Sequence, residues 1–293
     1  MFQFFANIFG YLLNFINNLV NNYGLSIILF TVIIKLVMLP LSIKQQRTMK
    51  KSAELQEKMK VLQFKYKNDQ EKLNREMMDL YKKENMSPFS GCLSTIVQFI
   101  LLISIFYMVR FPLTYMKKID NSQINTYVQQ MKDDGKTVSS AYSEIDIIRE
   151  IDYLKEKNPE DSTLEKVNLN MNFIGLDLSK IPQQNLSDWT VYIIPVLYII
   201  STFISMRITT SMQKKDKKGD VIYVTEKDKD AEQNEKNEME DAMAQSNKMM
   251  SWMMPIMSVS ISLVAPLGLA LYWLVNNILM IGERLVLDKV IKD

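Results

Sequence analysis

The chain has 293 residues, 47% of them apolar and 23% charged, with a formal net charge of +2. That length suits one good-sized domain or two small ones, and the balanced charge excludes a global pull toward nucleic acid. Histidine is absent, which removes the commonest general base, metal ligand and pH switch, and a single cysteine, Cys92, excludes an intrachain disulfide or a cysteine metal cluster. Charge-free runs alternate with densely charged ones, the pattern of a polytopic membrane protein with soluble loops.

No Lys, Arg, Asp or Glu occurs from Met1 to Ile34. Without a basic start, the N-terminus reads as retained rather than as a cleaved signal peptide. Within residues 1–22, Phe5, Ile8, Phe9, Leu12, Leu13, Phe15, Ile16 and Leu19 recur at helical spacing, and Asn7, Asn14, Asn17 and Asn18 fall mostly opposite. This predicts an uncharged amphipathic helix lying in the membrane interface, with a spanning helix, which the asparagines disfavour, as the alternative. Residues 25–43 form the first predicted span, with Lys35 inside it and Pro40 near its end; ~19 residues at ~1.5 Å each cover ~28 Å, enough to cross the hydrocarbon.

Residues 44–86 are highly charged, with 12 Lys/Arg and 7 Asp/Glu from Lys44 to Asn85. Leu55, Met59, Leu62 and Tyr66, then Leu73, Met77 and Leu80, repeat at three to four residues on either side of the break at Asn68-Asp69, predicting two amphipathic helices folded as an antiparallel hairpin. Residues 89–110 are a second span. The segment 111–188 is polar, with 9 Lys/Arg and 13 Asp/Glu and no strong periodicity. Residues 189–206 are a third span, and 207–248 a polar linker with Lys214, Lys215, Lys217 and Lys218 clustered. From Met249 onward the chain is apolar for too long to be one untilted span, and Pro266 and Gly268 divide it into a fourth span, 249–265, and a fifth, 267–283. Met249, Met250, Met253, Met254 and Met257 give the fourth a soft, adaptable surface. The tail, 284–293, carries Arg284, Lys289 and Lys292.

The fold class expected is an all-α polytopic membrane protein, with five transmembrane helices around a hydrophilic groove and a cytoplasmic helical hairpin. Basic flanks stay inside, so the hairpin, the linker and the tail read as cytoplasmic, and the N-terminus and the acidic 111–188 loop as external. Lys35 is the residue that needs an explanation. It lies ~14 Å deeper than Lys44 along the helix axis, beyond comfortable snorkelling. A cation near mid-membrane requires a partner or a wet cavity, and apart from Glu283, the last residue of the fifth, no other predicted span contains an Asp or Glu. The expectation is a water-filled cavity, with partial snorkelling as the alternative. Thr31 stands one helical turn before Lys35, Ser94 and Gln98 are four apart in the second span, and Tyr192, Asn276 and Asn277 add polar groups from the third and fifth. Each alone suits ordinary helix packing; together with Lys35 they point to a hydrophilic groove. The lack of intramembrane carboxylates argues against an ion-coupled pump, and without a phosphate-binding glycine loop there is no sign of ATP hydrolysis. No enzyme activity, cofactor or metal is expected.

Four stretches, "YGLSIILFTVIIKLVMLPLSIKQ", "REMMDLYKKENMSPFSGCLSTIVQF", "NFIGLDLS" and "PLGLALYWLVNNI", resemble the core of the YidC-type membrane protein insertases (the YidC/Oxa/Alb family). The resemblance covers about residues 8–112 and 171–285. It implies five core helices around a groove open to cytoplasm and lipid and closed to the outside, a cytoplasmic hairpin, and an external peripheral helix before the first span. The family carries a groove arginine where this chain has Lys35, which keeps the charge but loses the planar, multi-donor head. Thr31, Gln98 and Tyr192 fall at groove or substrate-contacting positions. The form resembles the short, Gram-positive-like members, without a large periplasmic domain, in a bacterial cytoplasmic membrane.

The implied function is insertion and folding of membrane proteins, alone or with the Sec translocon. The implied partners are nascent membrane proteins, the ribosome, the signal recognition particle system and the lipid bilayer, with no nucleic acid except through the ribosome. In this reading the hairpin captures the substrate, Lys35 attracts its translocated tail, and its hydrophobic segment leaves between the third and fifth spans. A solute channel or transporter using the same cavity, or a scaffold for membrane complexes, are the alternatives.

Overall fold

The computed structural model describes residues 1–66, 69–84, 90–216 and 259–290. Its helices are α1 (Phe2–Val20), α2 (Tyr23–Lys65), α3 (Gln70–Lys83), α4 (Ser90–Arg110), α5 (Pro112–Tyr115), α6 (Asn121–Asp133), α7 (Ser143–Arg149), α8 (Ile151–Lys157), α9 (Thr163–Val167) and α10 (Ile193–Asp216). Residues 259–264 are helical and are labelled α11, and α12 is Leu267–Val290. A two-residue-per-strand hairpin, β1 (Asn172–Phe173) and β2 (Leu176–Asp177), is the sheet content of the described residues. Among the described residues, three helical stretches are long and apolar enough to cross a membrane: Tyr23–Thr48, Trp189–Ile208 and Leu267–Val290. In α4, residues 96–110 are apolar, while the side chains of residues 90–95, Ser94 among them, lie outside the described set. Most of the expected fourth span, 249–258, and the linker from 217 onward also lie outside it.

The chain divides into two compact units. The first comprises residues 1–37, 98–202 and 258–282. Its apolar core is shared by α1, the early part of α2, the end of α4, the start of α12 and the 111–188 segment. α1 presses Ala6, Phe9, Leu13 and Ile16 inward and meets α5 so closely that a Cβ on Gly10 would lie 1.9 Å from the Tyr115 carbonyl oxygen. Its expected polar face is only partly polar. Phe4, Ile8, Tyr11, Phe15 and Leu19 point outward, while Asn17 is buried and accepts the Ser26 hydroxyl at 3.3 Å. Helical period and helix length were legible; a second, outward apolar face was not, because it interleaves with the inward one.

The 111–188 segment is folded. Short helices, each of four to thirteen residues, surround Met131, Ile147, Leu154, Leu164 and Val167. Such short elements complete few helical turns, so they leave little periodic pattern to read. Polar side chains organise them. Asp120 caps α6 through the Ser122 amide at 2.9 Å, and the Tyr127 hydroxyl donates to Asp161 at 2.5 Å. Buried Glu144 accepts from the Leu113 amide at 2.7 Å, the Thr114 amide at 3.0 Å and the Thr114 hydroxyl at 2.5 Å.

The second unit comprises residues 38–97, 203–257 and 283–293. α2 passes the expected end of the first span without a break, with Pro40 accommodated inside it. Asp69 caps α3 by accepting the Lys72 amide at 3.0 Å, Leu55 and Leu73 are buried, and Lys58 pairs with Glu84 at 2.5 Å. That pair joins residues 26 apart, so the chain doubles back between them. Its hydrogen bond to Glu84 raises the Lys58 ammonium above the usual lysine range.

Candidate functional site

Three apolar helices begin on one polypeptide platform, residues 170–192. The Tyr23 amide at the head of α2 donates to the Asn170 carbonyl at 3.0 Å. The Leu267 and Gly268 amides at the head of α12 donate to the carbonyls of Lys180 and Leu178, each at 2.9 Å. Asp188 starts the turn Trp189–Tyr192 that leads into α10, accepting from the Thr190 amide at 3.1 Å and pairing with Lys180 at 2.8 Å. The Lys180 ammonium and the Thr190 donors hold the Asp188 carboxyl down at about 2. An anion at the opening turn of a helix also opposes its positive dipole end.

Burial is concentrated at this end. On α2, Tyr23, Ile27, Phe30 and Thr31 are buried, and one turn later Lys35 is only half-buried, with Leu36 and Val37 exposed. α4 buries Ser104, Ile105, Met108 and Val109 in its last turns and exposes Ile96 and Phe99 earlier. α12 buries Leu267, Leu269, Ala270, Leu271 and Tyr272 in its first turns. Since α4 runs toward the 111–188 segment and α2 and α12 run away from the platform, each is packed near the loops and more open farther along.

The residues singled out by sequence occupy different positions in this frame. Thr31 is buried and spends its hydroxyl on the Ile27 carbonyl, 2.6 Å away. Lys35 lies ~18 Å along the helix axis from Tyr23. The expectation that it lacks a partner within its own fold is corrected, because Lys35 engages in an interaction within the structure. An ammonium has three donors to satisfy, so the reading of Lys35 as an isolated cation does not hold. Gln98 is exposed and likewise engaged. Tyr192 is half-buried and packs against the apolar core. Asn276 is half-buried. Of the seven, Asn277 has an observed link to another apolar helix: its Nδ2 donates to Ser201 Oγ at 2.9 Å and Thr202 Oγ1 at 3.2 Å. Both hydroxyls in turn donate to the Tyr198 carbonyl, at 2.7 and 2.9 Å, and the Tyr198 and Trp273 rings lie 6.1 Å apart just alongside. Ser201 and Thr202 escaped the sequence reading, although adjacent hydroxyls inside an apolar run were the available signal.

The described residues contain no cluster of His, Cys, Asp or Glu able to hold a metal ion. A surface depression of about 680 Å³ lies on the loop module, along Ser122, Gln129 and Asp133 of α6, away from the residues above.

Together these features define a helical integral membrane protein, with spanning helices anchored at one end by a folded loop module. The chain matches the model of the 60Kd inner membrane protein family over residues 15–293 and belongs to that family. It is similar to proteins named membrane protein insertase YidC from Francisella tularensis subsp. novicida (strain U112) and subsp. holarctica (strain LVS). Each is 44% identical over 109 residues, which is 37% of this chain and 20% of the relative. The matched stretch thus spans about a fifth of those relatives' length.

Proposed function

We propose that the chain is a membrane protein insertase and chaperone of the bacterial cytoplasmic membrane, with five spans around a hydrophilic groove. The observation that carries this reading is the place of Lys35. It is a cation deep in an apolar helix, one turn beyond the last buried residue of that helix's apolar stretch, in a member of a family whose matched relatives are named insertases. Packing dense at the loop end and sparser beyond it supports a groove closed toward the outside and open toward cytoplasm and lipid. Lys35, Thr31, Ser94, Gln98, Tyr192, Asn276 and Asn277 are its proposed lining. The N-terminus and the loop module lie outside, and the α2–α3 hairpin and the C-terminus in the cytoplasm.

The mechanism needs no covalent step. The hairpin receives a nascent membrane protein from the ribosome, with the Sec translocon and signal recognition particle system as further partners. A short, often acidic tail is drawn into the groove, where Lys35 attracts negative charge more strongly than it would in bulk water. The substrate's hydrophobic segment then leaves between α10 and α12, driven by burial of apolar surface at about 25 cal/mol per Å². This route passes the Asn277 contact, which opens to let the segment through.

Lys35→Ala and Lys35→Glu test the reading in cells that depend on this copy. Insertion and growth fall with Ala and fall further with Glu; normal insertion with both removes Lys35 from the mechanism. Purified protein in liposomes separates insertase from channel: a small hydrophobic substrate with an acidic tail becomes protease-protected, whereas solute flux without such insertion supports a channel instead.

A further inference from the structure

The tip of the β1–β2 hairpin carries a residue that its backbone does not favour. Phe173 pairs with Leu176, so Ile174 and Gly175 alone form the loop. Both have positive φ, 52° and 79°, as the tightest hairpin turns require. Asn, Asp or Gly normally takes the first of these positions, and a β-branched residue there is a steric outlier. The turn is nevertheless held firmly. Asn172 Oδ1 accepts the Gly175 amide at 3.1 Å, and Asn22 Nδ2 donates to the Asn172 carbonyl at 2.7 Å. Phe173 packs on Gly24, where a Cβ would come within 2.4 Å of the ring.

That strain is not offset by packing within the chain, because Ile174 is 85% exposed. Two more large apolar side chains project nearby in sequence, Leu186 at 71% and Trp189 at 73% exposed, and β2 packs against the Trp189–Tyr192 turn. The same short segment receives the first amides of α2 and α12 and leads into α10. The hairpin therefore sits at the level where three membrane-length helices begin, the level of the lipid headgroups and the first methylenes of the acyl chains.

We propose that Ile174, with Leu186 and Trp189, forms an apolar rim that inserts into the bilayer interface at this end of the spans and fixes their depth. The occupant of the rim is lipid rather than a protein partner, because it adjoins the starts of helices whose own outward residues must face acyl chains. Tryptophan is enriched at this depth because its ring is apolar and its N–H finds polar headgroups. The rim requires only that α2, α10 and α12 cross a bilayer, and it is independent of what the protein does to its substrates.

The test uses the full chain with Cys92→Ser and a single new cysteine, Ile174→Cys or Leu186→Cys, labelled with an environment-sensitive fluorophore. The protein is reconstituted in vesicles of phosphatidylcholine and phosphatidylglycerol that contain a spin-labelled lipid, labelled either near the headgroup or near the chain end. Asn125→Cys, at an exposed position of α6, is the aqueous control. Emission from positions 174 and 186 should be blue-shifted and quenched more by the shallow label than by the deep one. Before labelling, their thiols should react about tenfold more slowly than the thiol of the Asn125→Cys control with a membrane-impermeant maleimide, reflecting apolar burial. Water-like emission with no quenching overturns the proposal. Blue-shifted emission quenched by neither lipid also overturns it, since that places protein rather than lipid on the rim. The two cysteine positions fail independently if one disturbs folding, and neither readout depends on insertase activity.

Discussion

Asn277 offers the sharpest test of how the apolar helices are joined. Its amide reaches from α12 to two hydroxyls of α10, at 2.9 and 3.2 Å. In a membrane there is little hydrophobic drive between helices, so packing and interhelical hydrogen bonds hold them, at about 0.6 kcal/mol per bond on average and ~1.7 at most. Two such bonds give an expected loss of about 1–2 kcal/mol for Asn277→Leu, which keeps volume and leaves the Ser201 and Thr202 hydroxyls donating to Tyr198. Asn276→Leu, one residue away on a different helix face, should cost less. Reversible unfolding in mixed micelles, followed by helicity, measures both. Double-mutant cycles with Ser201→Ala and Thr202→Val then isolate the pair terms. Zero coupling between position 277 and both hydroxyls would refute the latch, and with it the argument that the proposed exit must open there.

Gly10→Ala should destabilise the protein by about 2–3 kcal/mol, because the new methyl meets the Tyr115 backbone and no side chain can swing aside; retention of the wild-type melting temperature would mean that α1 does not dock on α5. Glu144→Gln tests the balance in the loop module, where burial lifts the carboxyl above its usual range against the pull of three donors. A raised folded pKa means that the native state holds the proton more tightly, so the favourable contribution of Glu144 is present below about 4.3 and is lost as pH rises through the folded value. The variant should therefore match wild type in acid and gain on it toward neutrality in paired melting curves. Comparing the two at each pH removes the opposite trend of Asp120 and Asp161, whose carboxyls are lowered by hydrogen bonds; a wild type that gains on the variant instead would show that the donors outweigh burial.

Much of the architecture was legible because membranes simplify sequence. Charge-free length marked the stretches that become Tyr23–Thr48, Trp189–Ile208 and α12, and the spacing of Leu55 and Leu73 marked the faces that are buried in the α2–α3 pair. Boundaries were less visible. Polar residues after Ile43 continue a helix as readily as they end one, so α2 runs on to Lys65. Tertiary structure in 111–188 was hidden because its order comes from single contacts such as Glu144 with Leu113 and Thr114, 30–31 residues away. For the candidate residues, pairing was not legible. Asn277 was identified, but its partners Ser201 and Thr202 were not, since a sequence does not say which faces of two helices meet.

The position of Lys35 then follows from where support for the bundle stops. Full burial on the apolar stretch of α2 ends at Thr31, whose hydroxyl turns back to the Ile27 carbonyl of its own helix. On α12 the cross-helix contact continues to Asn277, ten residues past Leu267 and thus ~15 Å along the axis. Between the described helices, α10 and α12 therefore stay latched at a depth where α2 is already losing cover. A lysine at such a place presents a mobile point charge rather than a fixed bidentate fork, which under the proposed function suits attraction of many unrelated tails better than tight recognition of one. The proposed groove needs no separate device to admit water to Lys35: the same platform that seals the loop end of α2 leaves the next turn less covered.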